Sequence, residues 1–180
     1  TLLLTSASPG EGKSTASLAL ARNFSELGRR VLLIDADMRN PSLHKKMALD
    51  NSNGLSNFLA GAASLTDVLH YTDMVGLAVI TTGPLPPNPA ELLHDDNMRQ
   101  LLADGSELYD LVIIDGPPVM GLADAPILSN LSEAVLLVIQ AGTTRKGLAL
   151  NAVKRLQAAR AQIVGVLLNK FEPKFASYGY

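Results

Sequence analysis

Three short segments hold residue types suited to phosphate chemistry. Residues 7–15 read Ala-Ser-Pro-Gly-Glu-Gly-Lys-Ser-Thr. Apart from Ala7, which stands where the pattern begins with glycine, this is a phosphate-binding loop between a strand-like run and a helical run. Gly10 and Gly12 let the backbone curl so that successive N–H groups converge on phosphate oxygens. The helix starting near Lys13 aims its unbonded N–H groups and its dipole at the same point. The candidate nucleotide-binding residues are therefore Pro9, Gly10, Glu11, Gly12, Lys13, Ser14 and Thr15. Lys13 is expected to reach the β- and γ-phosphates, and the Ser14 hydroxyl to ligate Mg²⁺.

Two further runs end in carboxylates. Val31-Leu32-Leu33-Ile34-Asp35-Ala36-Asp37 places two at the end of an apolar stretch, and Leu111-Val112-Ile113-Ile114-Asp115-Gly116-Pro117-Pro118 places a third. Aspartate after a strand is also ordinary turn chemistry. Electrostatics argues for more than turns. Two carboxylates ~4 Å apart repel by about 4 kcal/mol at an effective dielectric near 20. Three of them beside a phosphate loop call for a cation, and Mg²⁺ is the oxygen-seeking ion expected alongside phosphates.

The elements that must bring these segments together are legible as alternation. Near-continuous apolar runs at Leu2–Ser6, Val31–Ala36, Leu77–Thr82, Leu111–Asp115, Ala134–Gln140 and Ile163–Leu168 read as strands buried on both faces of a parallel sheet. Helical patterns fall near 13–27, 65–70, 89–103, 122–130 and 145–160. In the first, Ala16, Leu20, Phe24 and Leu27 share a helical face. The third opens with Asn88 as cap, Pro89 in the first turn and Glu91. Residues 50–61 and 83–89 read as the mobile loops. The expected fold is α/β, a doubly wound, mainly parallel sheet with helices on both faces, which with its phosphate loop resembles P-loop NTPases of the MinD/ParA kind. Ligands in such sheets sit at the carboxyl ends of the strands, where the three motifs lie.

Composition sets outer limits. The 180 residues suit one domain, expected over 1–170 with a tail at 171–180. Hydrophobic residues make up 47% and charged residues 18%, enough apolar content for a large core. A net charge of −2 gives no reason to expect nucleic acid as partner. With no cysteine, disulfides and thiolate chemistry are excluded. A chain that opens directly into a strand suits a piece of a longer protein.

On these motifs the sequence resembles the catalytic domain of the bacterial tyrosine kinases, the cytoplasmic part of, or partner to, membrane polysaccharide co-polymerases in capsule and exopolysaccharide export. The resemblance rests on the loop 7–14, on Asp35-Ala36-Asp37-Met38-Arg39, and on Ile113-Ile114-Asp115-Gly116-Pro117. Asn88-Pro89-Ala90-Glu91-Leu92-Leu93 and the tyrosine-containing tail add to it. It implies an ATP-dependent tyrosine autokinase that forms ADP, with Lys13, Asp35, Asp37 and Asp115 as catalytic residues. Ser14, Asp37 and Asp115 hold Mg²⁺, directly or through water, and Asp35 accepts the tyrosine hydroxyl proton. Tyr178 and Tyr180 are the phosphoacceptors. It further implies a ring-shaped homo-oligomer, an activating membrane segment or partner, and a place at the inner face of the plasma membrane.

Ten residues beyond Lys170 extend at most about 36 Å, which favours modification in trans. Positioning ATPases of the MinD/ParA kind carry a signature lysine early in the loop, where this chain has Ser8, and a nucleotide-gated scaffold needs nearly the same binding residues. Several minor features leave two readings each. Asn169 is an adenine contact by analogy or a strand-ending turn, Arg39 neutralises phosphate or pins the acidic loop, and Asp124 is a cap or a supporting group. His44, His70 and His94 read as surface residues.

Overall fold

The structure, a computed structural model, describes residues 1–121 and 123–172. The tail tyrosines Tyr178 and Tyr180 lie outside the described residues.

Strands β1 (Leu2–Ser6), β2 (Val31–Asp35), β3 (Leu69–Tyr71), β4 (Leu77–Ile80), β5 (Leu111–Asp115), β6 (Ala134–Gln140) and β7 (Ile163–Asn169) form one sheet in the order β3-β4-β2-β5-β1-β6-β7. All pairings are parallel except β3 against β4. The order reverses at β1, which lies between β5 and β6, and this switch point opens a crevice beyond its carboxyl end.

Alternation assigns the strand side chains to two cores. Leu4, Leu33, Val79 and Ile113 face helix α1 (Lys13–Glu26) on one side. Leu3, Leu32, Ile34, Ala78 and Ile114 face the other, covered by α3 (Leu55–Leu59), α5 (Pro89–His94), α6 (Asp96–Leu108), α7 (Asp124–Leu131) and α8 (Lys146–Ala158). Two short helices, α2 (Leu43–Met47) and α4 (Leu65–Val68), lie in the connections.

Several local expectations are corrected. Helix α1 buries Ser14, Ala16, Ser17, Leu18, Ala21 and Ser25, so of the expected face Ala16 is inside while Phe24 is 36% and Leu27 75% exposed. Small residues on the inner stripe let the helix axis lie close to the sheet, so the larger apolar side chains are displaced to its flanks. The helix expected over 89–103 is two, because Asp95 turns extended (ψ 153°) and its carboxylate accepts from Asn97 N at 2.9 Å, capping a new helix. Helix α3 occupies part of the segment expected as loop, held by Leu55 N and Ser56 N donating to Thr81 O and Thr82 O. The edge strand β3 takes the end of the helix expected over 65–70. Strand β7 is an edge, with Val164, Val166 and Leu168 more than half exposed, rather than buried on both faces. His44 and His70 are half-buried.

Candidate nucleotide site

The carboxyl ends of β1, β2 and β5 meet the amino end of α1. Odd-numbered positions on β2 and β5 face α1, so Asp35 and Asp115, partners in register, both turn toward it. After β1 the chain makes the loop 7–12 with Gly10 at φ 82° and Gly12 at φ 92°, a left-handed conformation that disfavours a side chain. A Cβ on Gly12 would also stand 2.1 Å from Asn169 Nδ2.

Lys13 sits at the centre. Its Nζ is 2.7 Å from Asp37 Oδ2, 3.3 Å from Ser14 Oγ and 3.9 Å from Asp115 Oδ1. Burial alone would lower the Lys13 pKa, but Asp115, Asp37 and Asp35 outweigh it and the pKa is raised. The chain itself thus supplies one cation among the three carboxylates. Among the described residues no group of three or more His, Cys, Asp or Glu is placed to hold a metal ion.

The three aspartates differ in their surroundings. Asp115 is fully buried, and its pKa is pushed up to about 7, by desolvation first and by Asp35 next, against the pull of Lys13. Its Oδ1 lies 3.1 Å from Ser17 Oγ, while its buried Oδ2 has no hydrogen-bond partner among the described residues. Asp35 is also fully buried. Its Oδ2 accepts from Leu43 N at 3.0 Å and Ser42 N at 3.2 Å, and its Oδ1 from Asp37 N at 3.3 Å. Desolvation raises its pKa against these bonds. Asp35, expected to accept the tyrosine proton, is enclosed, and its Oδ2 holds the start of α2. Asp37 is the aspartate that reaches open space, with Oδ1 accepting from Asn40 N at 3.1 Å and Oδ2 on Lys13.

That space is a cavity of about 420 Å³. Of the expected site residues, Pro9, Gly10, Gly12, Lys13, Ser14, Thr15 and Asp37 line it; Glu11, Asp35, Asp115 and Asn169 stand behind. Glu11 turns inward, its Oε2 accepting from Ser8 N at 2.8 Å and its Oε1 from Thr144 Oγ1, so it braces the loop. Asn169 donates Nδ2 to Glu11 O at 2.9 Å. Arg39 lines the cavity too, and its Nε and a terminal nitrogen grip Asp124 at 2.6 and 3.2 Å.

Two lysines in the lining were not anticipated, Lys46 and Lys170. Lys46 sits on α2, which has too few residues for a periodic signal, and donates to Thr15 Oγ1 at 3.1 Å. Lys170 stands beside the strand-end Asn169, the one signal that pointed there.

A family model described as an AAA domain matches residues 4–166. The tyrosine-protein kinase YwqD of Bacillus subtilis is 41% identical over 180 residues, 99% of this chain and 76% of that protein. The chain belongs to the bacterial tyrosine-protein kinases. The tyrosine-protein kinase etk of Escherichia coli is 40% identical over 93% of this chain, which spans 23% of that protein's length. The solved kinase domain of that enzyme superposes with a TM-score of 0.89 at 37% identity, covering 99% of this chain and 71% of the domain. The Pyrococcus horikoshii septum site-determining protein MinD, complexed with Mg-ADP, shares the fold at a TM-score of 0.78 and 24% identity, over 94% of this chain and 70% of that one. The bacterial tyrosine kinase fold and the MinD fold are therefore one architecture, and the kinase relatives are the nearer in sequence.

Proposed function

We propose that this chain transfers the γ-phosphoryl group of ATP to tyrosine hydroxyls, with Mg²⁺, forming ADP, and that its acceptors are Tyr178 and Tyr180 of a neighbouring copy. The observation that carries the reading is Lys13, held among Asp37, Asp115 and Ser14 at the mouth of a glycine loop that lines a cavity. The residues suit a metal–phosphate group. Asp115 Oδ2 is a buried acceptor with no hydrogen-bond partner among the described residues, and the Ser14 hydroxyl lies beside Lys13. Ser14 and Asp115 are the residues that would hold Mg²⁺, with Asp37 acting on it through water. That ion, when bound, supplies neutralisation of charge on the transferring phosphoryl oxygens.

The chain's own part is alignment and proton handling. Lys13 trades Asp37 for phosphate oxygens, which supply the negative charge it needs. The trade leaves Asp37 as the carboxylate in the cavity without its ammonium, and this residue, rather than the enclosed Asp35, accepts the tyrosine proton. Asp35 acts as a positioning residue, anchoring Ser42 and Leu43 and, through Asp37 N, the loop itself. Arg39 on Asp124 ties that loop to α7. Phosphoryl transfer depends mainly on alignment and charge, so no strong base is required.

The family resemblance implies a role in polysaccharide export at the inner face of the membrane, with a co-polymerase segment or activator as partner and a homo-oligomeric ring as the assembly. Among the described residues no helix is long and apolar enough to cross a membrane. The test is phosphotyrosine mapping by mass spectrometry after incubating the full-length protein and its activator with ATP and Mg²⁺. Label on Tyr178 and Tyr180, lost in Lys13→Met and sharply reduced in Asp37→Asn, is the expected result. ATP hydrolysis without labelled tyrosine would favour a switch ATPase, and binding without turnover a scaffold.

A further inference from the structure

The end of β7 makes a set of bonds to the phosphate loop that catalysis by Lys13, Asp37 and Asp115 does not account for. Lys170 Nζ donates to Gly10 O at 2.7 Å and to Gln140 Oε1 at 3.2 Å. Asn169 Nδ2 donates to Glu11 O at 2.9 Å. Lys170 holds φ 53°, in the left-handed region a lysine rarely adopts, immediately where the strand ends. The strand end is itself fixed, since Ala141 N donates to Asn169 O at 2.9 Å.

A trans peptide unit is planar, and its carbonyl and its N–H point in opposite directions. Gly10 O and Glu11 N–H belong to one such unit, and Glu11 O and Gly12 N–H to the next. A donor that fixes each carbonyl therefore fixes the N–H that follows. Both units are flanked by glycines in the left-handed region, Gly10 at φ 82° and Gly12 at φ 92°, where a peptide can rotate with little steric resistance. Rotation of either unit would replace a donor with a carbonyl oxygen on the side that must receive phosphate.

We infer that Lys170, with Asn169 beside it, is a positioning residue that holds the Gly10–Glu11 and Glu11–Gly12 peptides in the orientation that receives phosphate. The inference rests on the nucleotide-binding reading of the loop, and it adds a role for a cation that lines the same cavity from the opposite strand. Lys170 works through the backbone rather than by touching the reacting atoms. Its loss lowers the fraction of loops that are competent to bind, and apparent affinity falls by that fraction.

The experiment is calorimetric titration of Mg-ADP and Mg-ATP into the wild-type full-length protein and into Lys170→Met and Lys170→Arg. Lys170→Met is expected to weaken both nucleotides by the same factor, about tenfold. Lys170→Arg, which keeps a cationic donor, should restore most of it. The thermal midpoint of Lys170→Met should stay within about 2 °C of wild type, because the side chain is exposed. The loss should persist at 1 M salt, where the screening length is about 3 Å. A wild-type protein that binds while Lys170→Met binds equally well would overturn the inference and leave the nucleotide reading standing. So would a loss that vanishes at 1 M salt or falls mainly on ATP, since either would make Lys170 a direct phosphate cation. A wild-type protein that binds neither nucleotide would overturn the nucleotide reading, and this inference with it.

Discussion

Replacing Asp37 with asparagine should tighten nucleotide binding in the absence of metal. The Lys13 ammonium is engaged by Asp37 Oδ2 at 2.7 Å, and the two side chains are only 10% and 4% exposed. At an effective dielectric of 20 the gross attraction across that gap is about 6 kcal/mol. Most of it offsets the desolvation of the two charges, and a buried charge-assisted hydrogen bond leaves a net of roughly 1.5–3 kcal/mol. Incoming phosphate must displace that bond. Asparagine presents a neutral oxygen and removes a negative charge from the cavity, while Asp115 at 3.9 Å keeps Lys13 in place. At about 1.4 kcal/mol per decade, metal-free ADP should then bind roughly tenfold to a hundredfold more tightly. Titration with a fluorescent ADP analogue in EDTA measures this directly. Repeating it with Mg²⁺ should show a smaller metal-dependent gain in Asp37→Asn than in wild type. Metal-free affinity that is unchanged or weaker in Asp37→Asn would refute the reasoning, because Lys13 would not then be competed for.

Three other outcomes follow from the geometry. Gly12→Ala combines a left-handed φ with a Cβ 2.1 Å from Asn169 Nδ2, so it should abolish measurable ADP binding; adding Asn169→Ala should return only the steric part, read as a partial recovery by titration. Asp115, with its pKa raised to about 7 by burial, binds a proton in the folded state at pH values where the unfolded chain has released it. The nucleotide-free protein should therefore lose stability as pH rises through 7, by roughly 3 kcal/mol between pH 5 and 8 in urea melts, and Asp115→Asn should flatten the slope. Arg39→Ala strands the Asp124 carboxylate, whose side chain is 1% exposed, and should cost about 1–3 kcal/mol by the same assay, part of it recovered by adding Asp124→Asn.

The sheet was legible because its strands are continuous apolar runs: Leu2–Ser6, Leu111–Asp115 and Ala134–Gln140 fall on their expected bounds. The phosphate loop was legible because Gly10, Gly12 and Lys13 answer to local backbone and charge requirements. What failed depended on contacts distant in sequence. Strand β3 is three residues long and exists through its pairing with β4, which no local pattern announces. The inner stripe of α1 is small rather than apolar, so hydrophobic periodicity pointed to Phe24 and Leu27 on its flank. The three aspartates were correctly brought to one end of the sheet, yet their burial separated them. Side-chain alternation put Asp35 and Asp115 beneath the surface, and the turn after β2 put Asp37 in the cavity. Lys13 stands among them as the cation the chain supplies, beside the Mg²⁺ that three carboxylates near a phosphate loop call for. Lys170 escaped notice because nothing in Asn169-Lys170 says that the strand end folds back on a loop 160 positions earlier.

The account turns on one exchange of partners at Lys13. A crystal structure of the protein with Mg²⁺ and ADP tests it most directly. The expected result is the β-phosphate in hydrogen-bonding contact with Lys13 Nζ and with the loop N–H groups, Mg²⁺ on Ser14 Oγ, and Lys13 withdrawn from Asp37. A nucleotide bound away from the loop, or one in the cavity with Lys13 still on Asp37, would contradict it.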